Sequence, residues 1–299
     1  MKKLAPIVIF TYARVVKLKK SIEALKQCDL SKKSHLYIFS DSHKNKKEKP
    51  QVDKVRKYIK SIKGFKKISI VCRKKNYGLS ENIIDGITKI VNKYGRIIVV
   101  EEDIIVDKNF LNFLNHSLDF YKNKNSVWHI SGWNYNLNLP LSLDGYFTKT
   151  MNCWGWGTWK NRWKYFEKNP KKIINTWTQK MINQFNFDNT YNFFSQIIRN
   201  KEHKINTWAI FWYAVIFENR KLCLNPTITH SENIGIGKGS THTSNIDEIF
   251  KSKINDKNKK KLKLPKTFKE NNFARDEIKK EIKKMNQKKI LKKIKNFLL

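Results

Sequence analysis

Three consecutive acids, Glu101, Glu102 and Asp103, interrupt an apolar run that extends from Arg96 to Val106. The residues before them, Ile97-Ile98-Val99-Val100, are short in extent and rich in β-branched types, which is the composition of a strand buried on both faces. Open α/β sheets bind ligands outside the carboxyl ends of their strands. Adjacent carboxylates at such an end repel one another unless a cation lies between them. Oxygen ligands suit Mg2+ or Mn2+, and Mg2+ commonly takes one or two carboxylates together with substrate phosphates. For a triplet met in isolation, a solvated acidic turn is the plainer alternative.

Other residues with chemical potential stand at the ends of other apolar runs. Pro6 to Phe10 reads as a first strand, followed by the turn Thr11-Tyr12-Ala13-Arg14. His35 to Asp41 reads as a second strand that ends in an acid, and Ile68 to Val71 as a third. Asn76 to Ser80 is a turn, with Ser80 placed to cap a helix that runs through Val91 and stops at Gly95. Between the strands, Val15, Leu18, Ile22 and Leu25 recur at helical spacing, as do Val52, Val55, Ile59 and Ile62, and Asn109 to Tyr121 predicts a further helix. Strands alternating with helices of this length predict βαβ units and a mostly parallel sheet. Three strand ends then converge on one rim. They bring Thr11 to Arg14, Asp41 and the acid triplet together, a setting that suits a nucleotide diphosphate and its metal.

The second half has a different character. Val127 to Gly132 and Gly145 to Lys149 predict short strands. Met151 to Trp159 is dense in Trp and Gly; Trp154 and Gly155 could stack on a sugar ring and let backbone approach it, or the segment could be a core cluster opening the helix that carries Trp163. Lys168 to Asn206 predicts helix, and Ile205 to Phe217 an aromatic core segment. Asn233 to His242 is Gly-rich, and its amides, Lys238 and His242 could face phosphates or metal, although the GxxxxGK[ST] spacing of a P-loop is missing.

Composition bounds these readings. The 299 residues are 40% hydrophobic, which is ample for a packed core. Lys and Arg number 62 against 25 acids, a formal charge of +37 that attracts polyanions: nucleotide phosphates, nucleic acid or an anionic membrane face. Cys28, Cys72, Cys153 and Cys223 are widely spaced without a CxxC pair, which argues against structural zinc and a disulfide framework and fits a reducing cytoplasm. The N-terminal apolar run is broken by Pro6 and reads as a strand rather than a signal peptide. From about Asn255 the chain is Lys-rich; Ile278, Ile282, Met285, Leu291, Ile294 and Leu298 fall near one helical face. Such a helix either lies on an anionic membrane surface or docks on the domain with its lysines solvated.

Taken in order, PIVIFTYAR, LYIFSD, NYGLSENI, RIIVVEEDIIVDKNFLNFLNHSLDFY, CWGWGTWKNRW and NIGIGKGSTH resemble bacterial glycosyltransferases of the GT-A fold. They are similar to family 2 enzymes and to the N-acetylglucosaminyltransferase I type, over roughly residues 5 to 243. The resemblance implies a Rossmann-like α/β domain over residues 1–250, with a nucleotide-binding half to about 125 and an acceptor half to about 250, followed by a helical extension over 251–299. It implies that Asp103 is the direct ligand of Mn2+ or Mg2+ and that Glu101 and Glu102 complete the DxD-like motif. It places Thr11, Arg14, Asp41 and Asn76 around the nucleotide, with Asp41 reading the uracil ring, and His242 as a second metal or diphosphate contact.

The implied activity is transfer of a hexosyl or N-acetylhexosaminyl group, with inversion, from a UDP-sugar to a glycan or lipid-linked acceptor in lipopolysaccharide, capsule or glycolipid. The implied place is the cytoplasmic face of the membrane. An inverting transferase needs a carboxylate to take the acceptor proton. In the N-acetylglucosaminyltransferase I type an acid follows a Trp of the aromatic segment, whereas this chain reads Trp208-Ala209-Ile210. Glu202 and Asp188 are the candidate replacements, with Glu218 behind them. That departure motivates one competing reading, a non-catalytic sugar-binding homologue. The charge motivates another, an RNA-binding protein, but no RRM signature, KH loop or basic aromatic repeat is present, so no nucleic-acid partner is expected.

Overall fold

A computed structural model describes residues 3–137, 139–140, 142–235, 250–251, 254 and 261–298, with side chains described as far as Lys288. The first half alternates as expected: β1 (Ile7–Thr11), α1 (Val15–Lys26), β2 (His35–Ser40), α2 (Lys49–Lys60), β3 (Lys67–Cys72), α3 (Gly78–Tyr94) and β4 (Arg96–Glu101). The short strand β5 (Ile104–Val106) and α4 (Phe110–Phe120) follow. The acid triplet therefore falls at a break between two strands. Glu101 ends β4, while Glu102 and Asp103 turn the chain out of the main sheet.

The second half supplies β6 (Val127–Ser131), β7 (Gly145–Thr148), β8 (Trp156–Trp159), α5 (Lys160–Trp163), α6 (Pro170–Thr176), α7 (Gln179–Phe185), α8 (Phe194–Lys201), α9 (Ala209–Glu218), β9 (Leu222–Pro226), β10 (Ser231–Asn233) and α10 (Asn272–Leu298). The main sheet has the order β3-β2-β1-β4-β8-β6-β9-β7. Its pairs β3/β2, β2/β1, β1/β4 and β6/β9 are parallel, and the antiparallel strands are β8 and β7. This is the mostly parallel α/β sheet that the alternation predicts. Strand order reverses at β1, which lies between β2 and β4, so the ends of β1 and β4 flank a topological switch point.

Strand alternation divides the core between two faces. Ile7, Ile9, Ile98 and Val100 pack with Leu18, Ile22 and Leu25 of α1, Val55 and Ile59 of α2, and Phe110 and Leu114 of α4. Val8, Phe10, Ile97 and Val99 pack on the opposite face with Ile83 and Ile87 of α3 and with Trp208 and Trp212 by α9. Of the Trp/Gly segment, Trp156–Trp159 form a buried strand, β8, that leads directly into α5, which carries Trp163. Gly157 is needed there because a Cβ would lie 2.9 Å from the carbonyl oxygen of Ile97 on β4.

Lys168 to Asn206 is broken into three short helices rather than one. After α7, Phe187, Asp188 and Asn189 all adopt left-handed φ, at 56°, 53° and 59°. Each such non-Gly residue costs roughly 1–2 kcal/mol. The turn is held by Asn189 N–H donating to Asn183 O at 3.1 Å, and by α10, where Lys279 pairs with Asp188 at 2.7 Å and Asn286 donates to Thr190 O at 2.9 Å. Ala274, Ile278, Ile282 and Met285 of α10 are buried against Trp133, Tyr135, Tyr146 and Phe187. The described half of the tail's apolar face is thus docked on the second half of the chain. Among the described residues no helix is long and apolar enough to cross a membrane.

Candidate active site

The loops at the carboxyl ends of β1 to β4 form the rim, and each member of the acid triplet has a separate environment. Glu102 is buried and nearly saturated. Its Oε2 accepts from Thr11 Oγ1 at 2.5 Å and from the Tyr12 amide at 2.8 Å, and its Oε1 accepts from Arg14 Nε at 2.6 Å. Ser21 Oγ donates to the Glu102 carbonyl at 2.9 Å. Glu102 thereby ties the β1–α1 turn to the end of β4.

Asp103 is next to the same guanidinium: Arg14 Nη2 lies 2.9 Å from Oδ2. Burial pushes its carboxyl up, the charge of Glu102 adds to this, and Arg14 opposes it. The Glu101 carboxylate accepts no hydrogen bond among the described residues. Burial, with the charge of Asp103 behind it, raises Glu101 to about 8 against the pull of Arg14. For Arg14, burial works against the charge, but Asp103 and Glu102 hold it above its usual range. Glu102 and Asp103 thus face Arg14, with Lys17 also acting on Asp103, while burial favours the neutral form of Glu101.

Oxygen donors of this kind fit a hard divalent cation. Among the described residues no three His, Cys, Asp or Glu side chains converge on one metal position. Asp103 and Glu101 would supply one or two carboxylates, the number Mg2+ commonly takes from protein before substrate phosphates and water complete its shell. His242 lies outside the described residues.

The stem of the Gly-rich loop rests directly on Asp103. Beyond β10, which pairs with β5, the Ile234 amide donates to Asp103 O at 2.8 Å, and Lys17 Nζ donates to Gly235 O at 3.0 Å. A Cβ on Gly235 would sit 2.0 Å from Asp103 Oδ2, so only glycine allows this approach.

Asp41 and Asn76 meet at the ends of β2 and β3, but Asp41 does not offer its carboxylate to a base. Oδ1 accepts from the amides of Ser42 at 2.8 Å and Tyr77 at 2.9 Å, and Oδ2 from the Gly78 amide at 2.9 Å and Asn76 Nδ2 at 3.2 Å. These four donors fill its acceptor sites. Asp41 is the cap of α3, supplied from another strand. The expected cap, Ser80, is instead buried inside the first turn, where its hydroxyl accepts from Lys168 Nζ at 2.9 Å. Asn76 Nδ2 also donates to Ser42 O at 2.6 Å, which locks the two loops together.

Sequence reasoning missed Arg73. Its guanidinium lies 4.4 Å from the Tyr77 ring centre and 5.0 Å from that of Phe39, donates to Asn82 Oδ1 and pairs with Asp85 at 2.5 Å. A basic residue two positions past the expected strand Ile68 to Val71, with an aromatic four residues on, was the available signal.

In the second half of the chain, burial, with the charges of Glu101 and Asp103 behind it, raises the Cys153 thiol. Trp154 is half-buried and edge-on to Trp133 at 4.8 Å, and its carbonyl accepts from Ser231 Oγ at 2.5 Å. Gly155 has φ 75° and would place a Cβ 2.9 Å from the Phe110 ring. Both residues fit packing between the halves. The structure gives the candidate bases other work. Glu202 follows α8 in an exposed pair with Lys204 at 2.9 Å, Asp188 pairs with Lys279, and Glu218 accepts from Trp177 Nε1 at 2.7 Å. None of the three contacts a rim residue among the described interactions.

No family model matches the chain, and no sequence among curated proteins matches it. Solved structures with some likeness include S. aureus TarS 1–349, 10% identical with a TM-score of 0.43, covering 78% of this chain and 60% of that one. Mannosyltransferase PcManGT from Pyrobaculum calidifontis, in complex with GDP-Man and Mn2+, is 8% identical with a TM-score of 0.38, covering 72% and 68%. Galactosyltransferase LgtC, in complex with donor and acceptor sugar analogues, is 9% identical with a TM-score of 0.36, covering 71% and 70%. Against a longer TarS chain, this chain spans 24% of the length.

Proposed function

We propose that this protein is a metal-dependent glycosyltransferase that moves a hexosyl or N-acetylhexosaminyl group from a UDP-sugar to a cell-surface glycan or lipid-linked acceptor. The observation that carries the reading is the pairing of Arg14 with Asp103 at the switch point, beside Glu101, whose carboxylate accepts no hydrogen bond among the described residues. Departure of a nucleotide diphosphate develops negative charge, and positive groups fixed at the rim stabilise it as it forms. A divalent ion held by Asp103 and Glu101 would supply Lewis-acid neutralisation of that charge. Arg14 reaches the same place on its own arm. Glu102 holds the turn that carries Arg14, and Asp41 holds the loop of Asn76, Tyr77 and Gly78, so the wall around a nucleotide is built before ligand arrives.

Calorimetric titration with UDP, with and without Mn2+, tests the reading. Binding that requires Mn2+ and disappears in Asp103→Ala supports it; equal binding without metal, or undiminished binding by that variant, overturns it. Hydrolysis of a UDP-sugar by the purified protein separates an enzyme from a non-catalytic binding homologue.

Attachment to an anionic membrane face belongs to the same proposal, by electrostatics rather than insertion. The inner face of α10 is docked, while Lys280, Lys283 and Lys284 are exposed. Each lysine near an anionic surface contributes about 1 kcal/mol. Flotation with phosphatidylserine vesicles should be lost in high salt and in a Lys280→Glu, Lys283→Glu, Lys284→Glu variant; flotation indifferent to both refutes it.

A further inference from the structure

The first turn of α1 carries a cation where a helix disfavours one. Lys17 is the third residue of α1, and no acid shares that turn. The positive end of the helix dipole opposes an ammonium there. Lys17 stands three positions after Arg14, so the two cations leave the same side of the helix start.

Among the described interactions, the ammonium serves one neutral group. Lys17 Nζ donates to Gly235 O at 3.0 Å, and Gly235 N–H donates to Asn233 Oδ1 at 2.6 Å, so both backbone polar groups of Gly235 are held. Gly235 is buried against Asp103: the neighbouring Ile234 amide donates to Asp103 O at 2.8 Å, and a Cβ on Gly235 would lie 2.0 Å from Asp103 Oδ2. The last torsion of an aspartate side chain is broad, so its oxygens take their direction from what surrounds them. Arg14 Nη2 fixes Oδ2 at 2.9 Å, and the Gly235 backbone limits its swing.

We propose that Lys17 is a positioning residue for the rim cation: by holding the Gly235 carbonyl it keeps the stem Ser231 to Gly235 against Asp103 and so sets the direction of that carboxylate. The inference rests on the metal-dependent reading of the rim. A small divalent ion demands near-ideal ligand geometry. A carboxylate released to sample several orientations therefore binds it more weakly, although Lys17 touches neither ion nor nucleotide in this role.

Three full-chain variants test this. Lys17→Met keeps most of the aliphatic stem and removes the donor, Lys17→Arg restores a donor, and Lys20→Met, exposed on the same helix, is the control. In metal-free protein, hydrogen exchange across Ser231 to Gly235 should rise about tenfold in Lys17→Met alone. At saturating UDP, the half-saturating Mn2+ concentration, read by calorimetry, should rise about tenfold in Lys17→Met, return toward the wild-type value in Lys17→Arg and stay unchanged in Lys20→Met, with similar thermal melts throughout. Unchanged exchange in Lys17→Met, an equal rise in Lys20→Met, or a lowered melt with an unmoved Mn2+ midpoint overturns the proposal. Wild-type protein that binds no UDP in Mn2+ overturns the donor reading and this inference with it; wild-type binding matched by Lys17→Met overturns this inference alone.

Discussion

Glu102→Gln separates a structural acid from a ligand acid, because it removes a charge while keeping the shape. Glu102 takes donors on both oxygens: Thr11 and Tyr12 on Oε2, and Arg14 on Oε1. A glutamine has one carbonyl oxygen. If that oxygen takes the Oε2 position, the amide NH2 faces Arg14 Nε–H. If it takes the Oε1 position, the NH2 faces the Tyr12 N–H, while the Thr11 hydroxyl can rotate and accept. Either way one buried donor meets another donor, at a cost of about 1–3 kcal/mol. Loss of the charge opposite Arg14, whose side chain is 31% exposed and which keeps Asp103, adds about 1 kcal/mol after screening. The sum is about 2–4 kcal/mol. At roughly 2–3 °C per kcal/mol for a chain of this size, Tm should fall by about 4–12 °C. Calorimetric unfolding without metal or nucleotide measures this directly, with Glu23→Gln, an exposed i,i+3 pair, as the control. A double-mutant cycle with Arg14→Ala should return a coupling of at least about 0.5 kcal/mol. A melting shift equal to that of the control would refute the assignment of Glu102 as the tie between β1 and β4.

Gly235→Ala should displace the Asp103 carboxylate or the loop stem, given the 2.0 Å approach, and so weaken Mn2+-dependent UDP binding by about tenfold or more, at a stability cost of about 1–3 kcal/mol; calorimetric affinity equal to wild type would contradict this. Asp41→Asn places an NH2 against backbone amides on whichever oxygen it replaces, so amides of residues 76–78 should exchange hydrogen at least about tenfold faster, as measured by mass spectrometry. Trp212 Nε1 donates to His129 Nδ1 at 3.3 Å, which puts the proton on Nε2, where it donates to Asn152 O at 2.9 Å. Burial lowers His129 to about 3, far below the unfolded value of about 6.5. The unfolded chain therefore binds the extra proton between those values: the stability is present in full above pH of about 6.5 and is lost as pH falls toward 3. Denaturation midpoints should drop less steeply between about pH 6.5 and 5 in His129→Gln than in wild type; parallel curves would remove His129 as the cause.

The first half of the chain was legible because its signals are local. The two-sided apolar strands, the helical spacing of Leu18, Ile22 and Leu25, and Gly95 with φ 78° at the end of α3 each depend on near neighbours in the chain. The cap of α3 was not legible, since Asp41 comes from a strand whose last residue precedes the helix by 38 positions, and Ser80 matched the local cap pattern as well as any residue could. The Trp/Gly segment was ambiguous for a related reason. Bulky Trp156 and Trp159 suit a core helix or a core strand, and only the need of Gly157 for contact with Ile97 O, across the sheet, selects the strand. The break between α7 and α8 depends on left-handed residues stabilised by α10, a contact over some ninety positions that no periodicity encodes.

The acid triplet shows how a sequence motif can be right in place and yet uneven in role. A strand that ends within a run of like residues points successive side chains in different directions. Glu101, still in β4, has no hydrogen-bond donor among the described residues; Glu102, in the turn, is enclosed by three donors from the β1–α1 segment; Asp103 is shared between Arg14 and the stem at Gly235. Three carboxylates of similar chemistry thus acquire separate duties from the backbone alone. If this division holds, alanine at 102 should act mainly on stability and alanine at 103 mainly on metal-dependent nucleotide binding. Equal losses of both quantities at both positions would mean that the triplet works as a single cluster, and the fold would then not be what distinguishes its members.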